Sequence, residues 1–337
     1  MHNQPSATTA SVPSPDSPGG MLEHRQTLDI EEHALGMPGW QLRYDQLTAG
    51  RFSGELIELR LGGMQLIRDR SNQAMAKNGA GWSGSICFSM PLHSADTHFH
   101  CTGHSIIEPS LLVARADHLP EVQVPAGLDL VNIAIDESRL QETLERQNRQ
   151  FDLSQLPKCY SVLAGTSPQE LIRLFSSVLD KHSEGDALLG HAAIRDGIRD
   201  AVLLHLLDLI DVGEEHPLAP SARKRMVDRA REYAMANRDQ PPTVLELCNQ
   251  IGASRRKLQY CFQEALGTNP VAYLRALRLN AAHRQLRSAV GAESVQSVAA
   301  SWGFWHLSRF ASDYRQMFGQ LPSDTLRNAR RDSADFG

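Results

Sequence analysis

Between Phe52 and Ile135 the apolar positions come in short runs or alternate with polar ones, and Gly, Pro or Asp interrupts every run after a few residues. "ELIELRL", "MQLIRD", "SICFSM", "THFHC", "SLLVAR", "EVQVP" and "LDLVNIAI" are the pieces. A period of two in short, closely spaced segments predicts strands of an antiparallel sandwich or barrel. After Asp136 the period lengthens. "ESRLQETLERQN", "SPQELIRLFSSVLDK" and "ALLGHAAIRDGIRDAVLLHLLDLI" read as helices, with Leu171, Leu174, Phe175 and Val178 on one side of the second. That side needs a cover, by default the strands and alternatively a second subunit.

Beyond Ser221 the pattern is helical, and one motif occurs twice. "LCNQIGASRRKLQYCFQEALGTNP" starts at Leu247 and "VAASWGFWHLSRFASDYRQMFGQLP" at Val298. Gly252 and Gly303 correspond at an offset of 51; one insertion later an offset of 52 aligns Leu258 with Phe310, Phe262 with Tyr314, Leu266 with Phe318, Gly267 with Gly319 and Pro270 with Pro322. Each copy, about 244–267 and 295–319, is a short helix, a turn at Gly, a second helix with apolar residues every four positions, a Gly stop and a Pro restart. That outline predicts two helix-turn-helix units, in which the second helix enters the major groove of DNA. Plain helical hairpins share the outline, so the exposed chemistry has to separate the two readings.

In the first copy Leu258 and Phe262 face inward, which leaves Arg255, Arg256, Gln259 and Tyr260 outward near the helix start. Arg reads guanine and Gln reads adenine through paired hydrogen bonds, so these are candidate base readers. The second copy offers Leu307, Ser308, Arg309 and Ser312, suited to a thymine methyl or a phosphate. Between the copies runs "NPVAYLRALRLNAAHRQLRS", capped by Asn269 and begun by Pro270. Roughly 18 helical residues span about 27 Å, against about 34 Å between successive major-groove faces. Such a helix sets two recognition helices on one side of a duplex, helped by some DNA bending. Its Arg275, Arg278, Arg284 and Arg287 are candidates for phosphate contacts, or simply its solvated face.

Charge sharpens this division. Residues 221–337 hold 18 Lys and Arg against 10 Asp and Glu, a net of +8, while the first 220 carry −13, within a total of −5. A basic C-terminal part behind an acidic N-terminal one suggests that only the former meets a polyanion. The five cysteines are scattered without a CxxC pair, which argues against a zinc finger or disulfide scaffold and suits a reducing cytoplasm. The most apolar window, "AVLLHLLDLI", is too short to span a bilayer, and "MHNQPSATTASVPSPDSPGG" has no apolar core for a signal peptide. No membrane association is expected. The divisions that follow are a disordered tail at 1–23, a strand-and-helix domain at 24–212, for which the family resemblance given below implies ligand sensing and dimerisation, an acidic linker at 213–221 and a DNA-binding domain at 222–331.

"HSADTHFHCTGH", residues 93–104, poses a separate question. His98 and His100 lie two apart on a strand, and Thr102-Gly103 can turn the chain so that His104 folds back beside them. No carboxylate stands at a matching spacing, so the expectation is no metal and no cofactor, with His98, His100 and His104 lining an effector pocket; a barrel metalloenzyme of the cupin type is the remote alternative. No Ser-His-Asp arrangement, phosphate loop or dinucleotide fingerprint offers another chemistry, so no enzyme is expected.

The C-terminal motif resembles the AraC/XylS family of bacterial transcription regulators. "SVQSVAASWGFWHLSRFASDYRQMFGQLPSD" carries Ala299, Gly303-Phe304, Ser308, Phe310, Phe318-Gly319 and Pro322 at the family's spacing; Leu326 stands where the family more often has an aromatic. The resemblance covers about 221–331. It implies an α+β chain: an N-terminal antiparallel β-barrel, cupin-like, with dimerisation helices, then an all-α tandem helix-turn-helix domain. It implies an activator working as a homodimer on double-stranded promoter DNA with RNA polymerase, under a small-molecule effector. "EHAL", "YDQL", "TVLELCNQ", "SRRKLQ", "RLNA" and "WGFWHL" further resemble the ethanolamine-operon regulators of this family, which implies ethanolamine with adenosylcobalamin. The alternatives are a regulator of another pathway (virulence, quorum signalling or catabolism) and an effector-independent one.

Overall fold

The computed structural model describes residues 22–92, 99–106, 111–149, 153, 161–164, 168–180, 188–212, 214–289 and 293–335. Of the expected tail at 1–23 only residues 22 and 23 are described, and the histidines at 93 and 98 lie outside the described residues. Chain order begins β1 (Glu23–Thr27), α1 (Ile30–Leu35), β2 (Gln41–Gln46), β3 (Gly54–Arg60), β4 (Met64–Ser71), β5 (Met75–Ala80), β6 (Ser85–Pro91) and β7 (Phe99–Cys101). It continues β8 (His104–Ile106), β9 (Leu111–Arg115), β10 (Leu119–Val124), β11 (Asp129–Asp136), α2 (Glu137–Arg146), β12 (Ser161–Ala164), α3 (Gln169–Leu179), α4 (Ala192–Val212) and β13 (Glu214–Pro217).

These strands form two antiparallel sheets, ordered β1-β3-β4-β11-β6-β9-β12-β13 and β2-β5-β10-β7-β8. Alternation decides what each face of the larger sheet meets. Leu66, Phe88, Val131, Ile133 and Val113 pack against Leu140, Phe175, Leu206 and Leu207 of α2, α3 and α4. Their neighbours Ile67, Cys87, Leu130, Ala134 and Leu112 point the other way, into the layer shared with the second sheet. A sheet covered on both faces reads as near-continuous apolar runs, which is why "LDLVNIAI" alternates so weakly. Leu171 and Phe175 are fully buried by this packing, so the helix face is covered by the sheet of its own chain.

The expected closed barrel is not formed: among the described residues the two sheets share no strand pairing. The physical reason lies at the edge of β2. Its last residue, Gln46, turns its outward N–H and C=O to a helix of the C-terminal region: Asn280 Oδ1 accepts from Gln46 N and Asn280 Nδ2 donates to Gln46 O, both at 2.9 Å. That end of the β2 edge is thereby closed to another strand. The stretch read as a linker likewise contains β13, which pairs with β12.

Beyond it come α5 (Ala222–Ala236), α6 (Val244–Ile251), α7 (Arg255–Leu266), α8 (Pro270–Arg287), α9 (Val295–Ser301), α10 (Leu307–Phe318) and α11 (Pro322–Asp335). Two separate cores hold them. One gathers Val227, Leu247, Leu258, Phe262 and Tyr273; the other gathers Leu286, Val298, Phe310, Tyr314, Phe318 and Leu326. α8 contributes to both, and the sandwich docks along its second half. Arg284 bridges Glu31 and Asp45, Arg287 pairs with Asp29, and His283 Nε2 meets Asp29 Oδ2 at 2.8 Å. Arg284 is therefore not the solvated or phosphate-seeking residue that its position on an amphipathic helix suggested, while Arg287 stays exposed although it pairs with Asp29.

The histidine hairpin has a similar outcome. Thr102 (φ 52°) and Gly103 (φ 78°) make the turn between β7 and β8, as expected for a two-residue connection that needs positive φ twice. The register pairs Cys101 with His104 and His100 with Ser105, so His100 and His104 do not face each other. The turn grips the segment that joins the domains: Ser221 N donates to Thr102 O at 3.3 Å, and His104 Nε2 lies 2.9 Å from Ala219 O. His100 lines a different cleft, beside Val124, Leu266 and Tyr273.

Candidate nucleic-acid interface

Local chemistry sets each recognition helix. In the first unit Thr243 and Glu246 form a reciprocal cap at the start of α6, and Gly252, at φ 71°, takes the left-handed turn that ends it. Ser254 Oγ then accepts from Lys257 N to start α7, and Gly267 stops it at φ 66°. Asn269 caps α8 through Ala272 N, with Pro270 in its first turn. The second unit repeats the scheme with Ser294 and Ser297 capping α9, Gly303 at φ 72° and Gly319 at φ 73°.

Arg255, Arg256, Gln259 and Tyr260 are all exposed on α7, while Leu258 and Phe262 are buried beneath them. Leu307, Ser308, Arg309 and Ser312 are exposed on α10, over a buried Phe310 and Tyr314. The fold thus brings each set together on the outer side of its own unit. Three further residues belong to the same surface. Arg223, at the start of α5, stacks its guanidinium 5.3 Å from the centre of the Tyr260 ring, a cation–π contact that fixes the ring's attitude. Nothing in the pattern of the motif signals it, because α5 precedes the repeat. Trp305 is 66% exposed immediately before α10, next to a 43% exposed Leu307. His306 stands at the cap position but makes no side-chain cap bond, so the first-turn N–H groups of α10 are left for solvent or an anion. Both were visible in "WGFWHL" as an aromatic and a poor cap where a helix begins, but they have no counterpart in the first copy.

The two units are not free to swing. A Cβ on Gly303 would fall 2.3 Å from Pro241 Cγ and 2.7 Å from Arg238 O, so the turn of the second unit sits directly on the loop between α5 and α6. Arg238 completes the contact with its guanidinium 4.7 Å from the Trp302 ring centre. Trp302 Nε1 donates to Gln285 Oε1 of α8 at 2.8 Å, which ties the same ring to the connecting helix.

The sandwich meets the far side of this assembly. Met317 O, at the C-terminal end of α10, accepts from Gln46 Nε2 at 2.7 Å and Gly50 N at 3.1 Å, so the β2–β3 loop caps that helix end. His283 Nδ1 lies 2.5 Å from the Tyr314 hydroxyl, which donates to Thr325 Oγ1 at 2.8 Å. Asp29 is thereby joined through His283 and Tyr314 to α11. Burial pushes the Asp29 carboxyl up, but the His283 bond and charge, Arg287 and the Glu31 N–H outweigh it and bring it to about 2. Burial raises the Tyr314 phenol. Among the described residues no group of three or more His, Cys, Asp or Glu is placed to hold a metal ion, and no helix is long and apolar enough to cross a membrane.

Comparison with known proteins bears on this region. Residues 247–328 match the family model described as a helix-turn-helix domain. The chain is 39% identical over 115 residues to a probable thc operon regulatory protein of Rhodococcus erythropolis, covering 34% of this chain and 33% of that one. It is 39% identical over 82 residues to a XylDLEGF operon transcriptional activator of Pseudomonas putida, 24% of this chain and 26% of that one. A solved structure of a probable AraC family transcriptional regulator from Rhodopseudomonas palustris is 38% identical over 31% of this chain and 97% of that one, with a TM-score of 0.29. The matches to the two curated relatives thus span a third or less of their length. What the matched stretch carries is an AraC/XylS-type helix-turn-helix domain.

Proposed function

We propose that the whole chain is a transcription regulator of the AraC/XylS kind rather than an enzyme. It binds double-stranded promoter DNA through both helix-turn-helix units and acts with RNA polymerase as an activator. The reading rests above all on two matched units, each with a buried core beneath an exposed recognition-helix start, locked to one another through Gly303 and Pro241. Arg255, Arg256, Gln259 and Tyr260 read one stretch of major groove, and Leu307, Ser308, Arg309 and Ser312 the next. Homodimerisation through the N-terminal part and a location in the cytoplasm belong to the same proposal. Selection of duplexes from a random pool by the full chain tests it: a two-part site, its halves about one helical turn apart, is the expected product, and a pool that stays random overturns it.

The N-terminal part would then sense a small molecule. The cavity between the two sheets, lined by Trp40, Tyr44, Lys77, Ser89, Val122 and Asn132, holds about 40 Å³. Cofactor pockets run to several hundred Å³, so adenosylcobalamin cannot enter there, and the ethanolamine reading rests on the short sequence resemblances alone. A cleft of about 510 Å³ where β2 and β10 meet α5 and α8, lined by Arg43, Glu121, Lys224 and Arg231, is roomier. His100, with His98 and His104 as the other expected pocket residues, borders a third cleft of about 340 Å³. One observation favours the effector-independent alternative: the charged group beside the cavity is already answered from within the sandwich, Asp69 taking His33, Tyr44 and Lys77 at once. Reporter output from a selected site, followed as candidate effectors are added, separates the two.

A further inference from the structure

α8 has two charged sides with different fates. Asn280, His283, Arg284 and Arg287 face the sandwich. Arg278 and Arg275, two and five positions before Asn280, point roughly 140–200° away from it round the helix. They enter the crease between the two helix-turn-helix units, where they meet Trp302, Phe304 and Asp313. Arg278 lies with its guanidinium 5.0 Å from the Phe304 ring centre and donates to Trp302 O at 3.2 Å. Arg275 pairs with Asp313 of α10 and is electrostatically coupled to Arg309. Arg238 lies against the other end of the crease on Trp302. Arg275, Arg278 and Arg309 thus act on one another electrostatically, with Asp313 paired to Arg275, and Arg238 shares Trp302 with Arg278. Burial, and then the neighbouring Arg275 charge, bring Arg278 down to about 10. The cluster is short of negative charge in the free protein.

We propose that this crease is a phosphodiester-binding site, in which Arg278 and Arg238 seat the DNA backbone that crosses between the two major-groove segments. The inference rests on the DNA-binding reading above and adds to it two arginines that lie on neither recognition helix. Three features suit a phosphate better than a base edge. The guanidinium planes are held against Phe304 and Trp302, which leaves N–H edges for an anion at little further loss of freedom. The side chains stand between the units, where a duplex engaged by both must pass its backbone. The donors turned to the crease are guanidinium forks, whose paired N–H groups match the oxygens of a phosphate.

Fluorescence anisotropy of the full chain on a random-sequence duplex, across a salt series, tests this. Each phosphate neutralised contributes about 0.9 to the slope of log affinity against log salt. Arg278→Ala is expected to lower that slope by about one such unit, so that the wild-type advantage shrinks about three- to fourfold between about 50 and about 200 mM salt. Arg278→Lys keeps the charge and should keep the slope. Arg238→Ala, at an exposed residue, should lose a similar unit while melting like the wild type, which covers the case in which Arg278→Ala does not fold. A wild-type slope in both alanine variants overturns the proposal, as does a lysine variant that loses as much as the alanine. Absence of salt-dependent duplex binding by the wild type would sink the DNA-binding reading itself.

Discussion

Asp29 and His283 stand 254 positions apart in the sequence and 2.8 Å apart in the fold, and no local pattern announces such a pair. The carboxyl is held at about 2 because its cationic neighbours outweigh the cost of burial. A depressed folded value means that the contact contributes its full stability above the ordinary carboxylate range near 4 and loses it as pH falls through about 2. Asp29→Asn should therefore flatten the acid limb of the melting curve between about pH 4 and pH 2, and cost about 2 kcal/mol at neutral pH. An unchanged acid limb would mean that the pair does not join the domains in solution. Arg256 makes the opposite case. Its role follows from a one-residue pattern, outward beside an inward Leu258, and the fold leaves it exposed. Arg256→Ala should cost about 1–3 kcal/mol on a selected site and less on random duplex; equal losses in a titration of both would reduce it to a phosphate contact. Arg284 and Arg287 looked like Arg256 in the sequence, and only the acidic surface of a distant domain distinguishes them.

Gly252 and Gly303 are equivalent in the repeat and nearly equal in backbone, at φ 71° and 72°, yet the elements around them differ. A Cβ on Gly252 meets nothing within 4 Å, whereas one on Gly303 runs into Pro241 and Arg238 O. Gly252→Ala should cost only the strain of a left-handed alanine, about 1 kcal/mol. Gly303→Ala should cost more and should also weaken DNA binding, since it pushes the units apart; equal melting temperatures for the two variants would show that the contact is not tight. Helices, turns and caps of the C-terminal region were legible because period, Gly and Pro are local signals. The apposition of the units was not, because it depends on which turn lands against which loop. The same limit explains the sheets: strands could be read from alternation, but closure into a barrel could not. A single Asn280 from another region occupies the β2 edge.

At the scale of the whole molecule, the sandwich holds the second half of α8 and the C-terminal end of α10, while the residues at both recognition-helix starts stay exposed. Docking of the N-terminal part and access to DNA are therefore compatible in one conformation. The charge division read from the sequence, acidic first and basic second, takes physical form at this junction, where Asp29, Glu31 and Asp45 meet Arg284 and Arg287. Fixed to each other, the two units are expected to read successive major grooves on one side of a duplex. The most direct measurement compares affinity for a selected two-part site with affinity for the same site carrying an insertion of about five base pairs, half a turn, between its halves. A fixed pair predicts that the insertion lowers affinity at least about tenfold, towards that of a single half. Undiminished affinity for the inserted site would contradict it.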